Sequence, residues 1–197
     1  MKFSLLIGIT GGIGSGKTTL SNLLRTKGYL VYDADGEARR LQHEDETVRR
    51  QMIDLFGSKI YNSSGLLNRQ LLAEIAFNDT DKLQRLNSIV HPAVKIDFEK
   101  WVEKHSSEKM LFMESAILFE SGFFKLFDKI IAVAASEKTR IERVMVRDNI
   151  AHEQVVERMA QQLPEKELLA RADFVIWTDK SQSLDEQLKS IVEAVIK

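Results

Sequence analysis

The chain has no cysteine among its 197 residues, so disulfides, thiolate metal sites and thiol nucleophiles are excluded. It also has almost no net charge. Its 28 Lys and Arg against 29 Asp and Glu give −1, which leaves no whole-surface attraction to nucleic acid or anionic lipid. No apolar run approaches the ~18 residues that span a bilayer. Met1-Lys2 lead straight into a strand-like run, so no cleaved signal is expected. Internal repeats, low-complexity tracts and linker domains are missing too. The expectation is a cytoplasmic protein with no nucleic-acid or membrane partner, monomeric or weakly homo-oligomeric. The length suits one large domain, or one domain with an inserted lobe.

What is present is concentrated near the start. Gly11-Gly12-Ile13-Gly14-Ser15-Gly16-Lys17-Thr18 fits G-x-x-x-x-G-K-[ST], the loop that wraps the phosphates of ATP or GTP. Its setting fits as well. Residues 3–9 form an apolar run of strand length, and Leu20, Leu23 and Leu24 recur at helical spacing just after the loop. Glycines let backbone N–H groups converge on an anion, and the helix N-terminus adds unsatisfied donors and a favourable dipole. The nucleotide-binding set is then Gly12, Ile13, Gly14, Ser15, Gly16, Lys17, Thr18 and Thr19. Lys17 can reach the β- and γ-phosphates, and the Thr18 hydroxyl is placed for Mg²⁺.

Strand-like runs recur at residues 3–9, 29–32, 110–113, 130–134 and 174–177, with helical patterns between them. Strands alternating with helices imply parallel pairing and right-handed crossovers, hence a three-layer α/β core with a parallel five-stranded sheet. Gly28 suits a helix C-terminus, Ser136 and Ser183 suit helix N-caps, and Pro92 suits the first position of a helix running to about His105. Residues 36–105 exceed what a crossover needs. They form a helical insertion, broken at Gly57-Ser58 and Asn62-Ser63-Ser64-Gly65. We read it as an acceptor-binding lobe; the alternative is a purely structural elaboration. The core is then residues 1–35 and 106–197.

Several side chains are candidates for chemistry. Asp33-Ala34-Asp35 follows the second strand, at the sheet edge where ligands of open α/β folds gather. In extended backbone, residues two apart point the same way, so both carboxylates could face one crevice, orienting a hydroxyl and taking its proton. Alternatively one of them caps the helix that follows, with Asp35 the natural choice. Arg140, Arg143 and Arg147 fall within an arc of about 60° on one helix. Such a stripe either absorbs phosphoryl charge or decorates a solvated face. Asp148 could hold Arg147 in place. The stretch around Arg158, Gln161, Gln162 and Pro164 is a mobile connection or a second lid helix. His91 suits a cap or packing residue better than a catalyst. Glu114 suits a metal-bound water or a loop cap.

Taken together these elements resemble the dephospho-coenzyme A kinases, nearly end to end. The matching pieces are residues 9–19, Asp33-Ala34-Asp35, Leu86-x-x-Ile89-x-His91-Pro92, Ile117-Leu118-Phe119-Glu120, Arg140-x-x-Arg143-x-x-x-Arg147-Asp148 and Ala172-Asp173-Phe174-Val175-Ile176. The resemblance implies transfer of the γ-phosphoryl of ATP, with Mg²⁺, to the 3′-hydroxyl of dephospho-CoA. It implies a P-loop core, a helical CoA-binding lobe and a lid at about residues 140–165. It makes Asp35 the base, with Lys17 and Arg140 the other catalytic groups. Thr10, Asp33, Arg69 and His91 join Asp35 in substrate binding, and Thr18 meets the metal. The chain departs from the family pattern at Ala116, Asn68 and Trp177-Thr178, none of which touches the phosphate loop or the aspartate pair.

Two alternatives accompany this reading. Another small-molecule or nucleoside monophosphate kinase would share the loop and the arginines. A GTPase-like switch would exploit Asp33-Ala34-Asp35-Gly36 as D-x-x-G. That element comes too soon after the loop, and no N-K-x-D guanine-reading motif exists in the chain.

Overall fold

The computed structural model describes residues 4–77 and 79–196. The expected strand start at Phe3 and helix end at Lys197 lie outside the described residues. Five strands form one sheet in the order β2-β3-β1-β4-β5: β1 (Leu5–Thr10), β2 (Leu30–Asp33), β3 (Met110–Glu114), β4 (Lys129–Ala134) and β5 (Phe174–Trp177). β1 runs parallel to β3, with Ile7 opposite Phe112, and to β4, with Ile9 opposite Ile131; β4 runs parallel to β5. β3 is buried throughout and β4 in all but its first residue. Both therefore read as continuous apolar runs, as a parallel sheet covered on two faces requires.

Helix α1 (Lys17–Thr26) and the last helix, α9 (Leu184–Ile196), cover one face. Leu20, Leu24, Leu188 and Ile191 share a core with Ile7, Ile9, Phe112 and Ile131. The other face of β1 lies close under the segment after β3: a Cβ at Gly8 would come within 3.0–3.1 Å of Phe127 and Leu118. The chain leaves β1 for β2 on one side, whereas β3 feeds β4 on the other. The crevice at the carboxyl ends of β1 and β3 is thus the topological switch point, where open α/β sheets bind ligands. The two serine caps hold. Ser136 accepts the Thr139 N–H at the start of α6 (Glu137–Asp148). Ser183 and Glu186 exchange backbone-to-side-chain bonds of 3.1 and 3.2 Å at the start of α9.

The chain divides into two compact units, Met1–Tyr32 with Ser106–Lys197, and Asp33–His105. Asp33 and Asp35, placed with the core in the sequence reading, fall in the second. That unit comprises α2 (Ala34–Glu44), α3 (Glu46–Phe56), α4 (Arg69–Phe77) and α5 (Thr80–Lys104). It has its own core, in which Val48, Met52, Ile60, Tyr61, Leu67 and Leu72 pack with Leu86 and Ile89.

Pro92 does not open a helix. It lies inside α5, which begins twelve residues earlier where Asp79 accepts the N–H groups of Asp81 and Lys82. Proline cannot donate to the Ser88 carbonyl, a loss that ordinarily breaks or kinks a helix. Both residues are exposed and border an open cavity, so water can serve that carbonyl. Val90, Val94 and Phe98 anchor the helix across the break.

His91 is half-buried beside this proline, and burial lowers its imidazole pKa from the ordinary 6.5. The folded ring therefore resists the proton that the unfolded chain accepts, and stability must rise with pH through the window below about 6.5. The melting temperature should fall between pH 7.5 and 5.5, and fall less in His91→Gln. Equal slopes for the two proteins would contradict this.

Candidate active site

β1 delivers Thr10 and the glycine loop to the switch point. Thr10 is fully buried, and its hydroxyl has no hydrogen-bond partner among the described residues, nor has that of Ser15. Buried polar atoms of this kind call for a ligand or water. The loop needs glycine for two reasons. At Gly14, φ is +77°, and a Cβ would sit 2.5 Å from the Arg140 carbonyl oxygen. At Gly12 a Cβ would strike the Arg140 guanidinium at 2.6 Å. Gly16, in left-handed conformation, then turns the chain into α1, with Lys17, Thr18 and Thr19 in its first turn. No acidic side chain occupies that turn, so the helix dipole meets only the loop and whatever anion the loop holds.

Lys17 folds back over this loop, its Nζ donating to the carbonyls of Gly11 at 2.8 Å and Gly12 at 3.3 Å. The Thr18 hydroxyl donates to Glu114 Oε1 at 3.0 Å. Glu114 ends β3 and is buried. A hydroxyl beside a carboxylate is a hard-oxygen pair that suits Mg²⁺. Among the described residues no cluster of three or more His, Asp or Glu could cage an ion.

The three arginines of the α6 stripe have three different settings. Arg140 is 5% exposed; its Nε donates to the Ile13 carbonyl at 3.1 Å and its Nη1 to Glu165 Oε1 at 2.8 Å. Arg143 bonds the Thr178 hydroxyl at 2.7 Å and the Gly14 carbonyl at 3.3 Å. Thr178 in turn donates to the Ser15 carbonyl at 2.7 Å. Arg143 and Thr178 therefore brace the loop from outside. Arg147 pairs with Asp148, as the sequence suggested, and Arg158 shares that carboxylate.

Of the stretch read as a connection or second lid helix, Arg158 lies in α7 (His152–Ala160), and Gln161, Gln162 and Pro164 lie in the short turn between it and α8 (Glu165–Arg171). Ile13 packs with Ile141, Val144 and Val155, so α6 and α7 rest on the phosphate loop. The turn itself reaches the loop, because Gln162 Oε1 accepts the Ile13 N–H at 2.7 Å. Glu120 holds the next residue by accepting the Leu163 N–H at 3.2 Å. The sequence named Gln162 only within a polar connection and did not single out Glu165, since nothing in their spacing distinguishes them from solvated side chains; the structure sets them against the Ile13 N–H and Arg140.

In the helical unit, the aspartate pair differs from expectation. Asp33, not Asp35, is the N-cap of α2, its side chain accepting the Gly36 N–H at 3.0 Å. The helix begins at Ala34, so the two-residue alternation of a strand does not apply and Asp35 projects from the first helical turn. Arg69 is the first residue of α4, and His91 lies mid-way along α5.

This geometry has known relatives. The family model for dephospho-CoA kinase matches residues 5–185. The chain belongs to the dephospho-CoA kinase family. It is 39% identical to a dephospho-CoA kinase of Bacteroides fragilis, over 96% of this chain and 92% of the relative. A Porphyromonas gingivalis dephospho-CoA kinase is 42% identical, over 97% and 94%. The crystal structure of TT1252 from Thermus thermophilus superposes with a TM-score of 0.88 at 34% identity, covering all of both chains. The chain is thus an ATP-dependent phosphotransferase that acts on dephospho-CoA in the last step of coenzyme A biosynthesis. The GTPase-like reading is set aside.

Proposed function

We propose that residues 11–19 hold the triphosphate of ATP, that Lys17 and Arg140 carry the charge of the moving phosphoryl group, and that Asp35 receives the acceptor's proton. The oxygen of the ribose 3′-hydroxyl bonds to the γ-phosphorus, the bond from that phosphorus to the β–γ bridging oxygen breaks, and ADP leaves. The hydroxyl proton passes to the Asp35 carboxylate. Transfer of this kind demands positioning and charge stabilisation more than covalent chemistry. Thr18, with Glu114 beside it, would hold Mg²⁺, which would supply charge neutralisation to the phosphates. Thr10 and Asp33 support the acceptor, Arg69 and His91 belong to its lobe, and helices α6 and α7 with the turn at Gln162 serve as the lid. The protein works in the cytoplasm, as a monomer or weak homo-oligomer.

The observation that carries this assignment is the convergence of Lys17 and Arg140 on the loop. Both cations touch its carbonyls, while Gln162 holds the Ile13 N–H that a phosphate oxygen would take. The test compares two arginines of one stripe. Arg140→Ala should lower kcat by about tenfold or more, the value of one charge-assisted hydrogen bond. Arg147→Ala, which loses only its bond to Asp148, should stay within about twofold. Melting temperatures are recorded alongside, because Arg140→Ala also strands Glu165. A pure rise in KM for ATP in Arg140→Ala would make that residue a binding group and nothing more.

A further inference from the structure

We propose that Thr178 is a positioning residue for the triphosphate: its hydroxyl fixes the Ser15–Gly16 peptide of the phosphate loop and so sets the affinity for the nucleotide's phosphates. The proposal rests on the reading that residues 11–19 hold those phosphates. The sequence alone sets Trp177-Thr178 apart from the loop, and the structure corrects this. With β4 beside β1 and β5 beside β4, the end of β5 is brought to the loop. There the Thr178 hydroxyl donates to the Ser15 carbonyl at 2.7 Å.

Five successive carbonyls of the loop, from Gly11 to Ser15, are each taken by a side-chain donor. Lys17 serves Gly11 and Gly12, Arg140 serves Ile13, and Arg143 serves Gly14. The fifth, that of Ser15, depends on a neutral hydroxyl with a single proton. Ala134 offers that proton a second carbonyl, but at 3.4 Å, so the shorter bond to Ser15 takes it. Arg143 Nη1 donates into the same oxygen at 2.7 Å, and hydrogen bonds joined head to tail polarise one another. Guanidinium, hydroxyl and Ser15 carbonyl form one directed chain.

In a trans peptide the C=O of one residue and the N–H of the next point opposite ways. Drawing the Ser15 carbonyl toward Thr178 therefore turns the Gly16 N–H away from it. Gly16 is the N-cap of α1, and its N–H is the first of the four that a helix start leaves for an outside partner, here an anion. Polarising the carbonyl also makes the N–H of the same peptide a better donor.

Thr178 is itself locked on both sides. Its N–H bonds the Ala134 carbonyl at 2.9 Å. Gln187 of α9 grips Trp177 by its N–H at 2.9 Å and its carbonyl at 2.8 Å. Asp179 accepts the Ser136 N–H at 2.7 Å. The Thr178 methyl lies against Gly16, where an added Cβ would meet it at 3.0 Å. An N–H that meets a phosphate before and during transfer binds ground state and transition state alike, so losing its support raises KM and spares kcat.

The test compares Thr178→Val, which keeps the shape without the hydroxyl, with Thr178→Ser, which keeps the hydroxyl. Thr178→Val should raise the KM for ATP about tenfold, the worth of one hydrogen bond. It should weaken magnesium tripolyphosphate as a competitor of ATP by the same factor, since that probe carries neither base nor sugar. Both kcat and the KM for dephospho-CoA should stay within about threefold. Thr178→Ser should remain within about threefold of the wild type in every reading. Should Thr178→Val not fold, Arg143→Ala replaces it, and tripolyphosphate should again compete about tenfold less well. A higher KM for ATP with tripolyphosphate unaffected would make Thr178 a contact for the base and overturn the proposal. A fall confined to kcat, or a Thr178→Ser as impaired as Thr178→Val, would overturn it too. The two readings fail separately. If tripolyphosphate does not compete with ATP on the wild type, the loop does not hold the triphosphate. If it competes equally on the wild type and Thr178→Val, the loop reading stands and the role of Thr178 falls.

Discussion

Lys17→Ala is expected to lower kcat/KM for ATP by about a hundredfold or more, the largest single loss at the phosphate loop. The ammonium lies within 2.8 Å of the Gly11 carbonyl and is the only side-chain cation in the loop or in the first turn of α1. Backbone N–H groups supply partial charge, but negative charge develops on the β–γ bridging oxygen of the departing ADP as its bond to the γ-phosphorus breaks, and a full cation answers that change better than dipoles do. Alanine keeps the helix start, since Gly16 still turns the chain and Leu20 and Leu24 still anchor α1 in the core. The melting temperature should therefore barely move while turnover collapses. A loss under about tenfold would mean that Arg140 and the metal carry the charge without it.

Asp35→Asn is expected to lower kcat by about a hundredfold or more with little change in either KM, because asparagine keeps the shape and polarity of the side chain but cannot take a proton. The neighbouring aspartate provides the contrast. Asp33 caps α2 by accepting the Gly36 N–H, so Asp33→Ala should cost about 1 kcal/mol of stability. Asn is a good cap as well, so Asp33→Asn should leave stability nearly untouched. If Asp35→Asn turns over normally and Asp33→Asn does not, the base is Asp33 and its capping role is secondary. Thermal melts and initial rates on the same preparations separate the cases.

The two aspartates also illustrate what a sequence can and cannot reveal. Their position after β2 was legible, because the strand pattern ends there and the sheet edge follows. Their relative orientation was not, since it depends on whether the chain is still extended at residue 34, and the Asp33 cap decides that locally. The phosphate loop was legible as a motif because Gly14 and Gly16 answer left-handed backbone conformations, whereas the need for Gly12 comes from the Arg140 guanidinium, far off in sequence. The arginine stripe was only half legible. Helical spacing put Arg140, Arg143 and Arg147 on one face, but which of them reaches the loop depends on how α6 docks against Ile13, a contact more than a hundred residues distant in sequence. The contact of Gln162 with Ile13 left no local trace for the same reason. Pro92 misled because a proline in first position and a proline inside a well-anchored helix read alike until Val90 and Val94 are seen buried on either side.

The most direct measurement follows labelled γ-phosphate from ATP when purified protein and magnesium are given dephospho-CoA and a nucleoside monophosphate together. Phosphorus NMR of the product then locates the phosphate. The account predicts label on the ribose 3′-oxygen of CoA, one ADP formed for each, and none on the competitor. Label on the nucleotide with dephospho-CoA left untouched would contradict it.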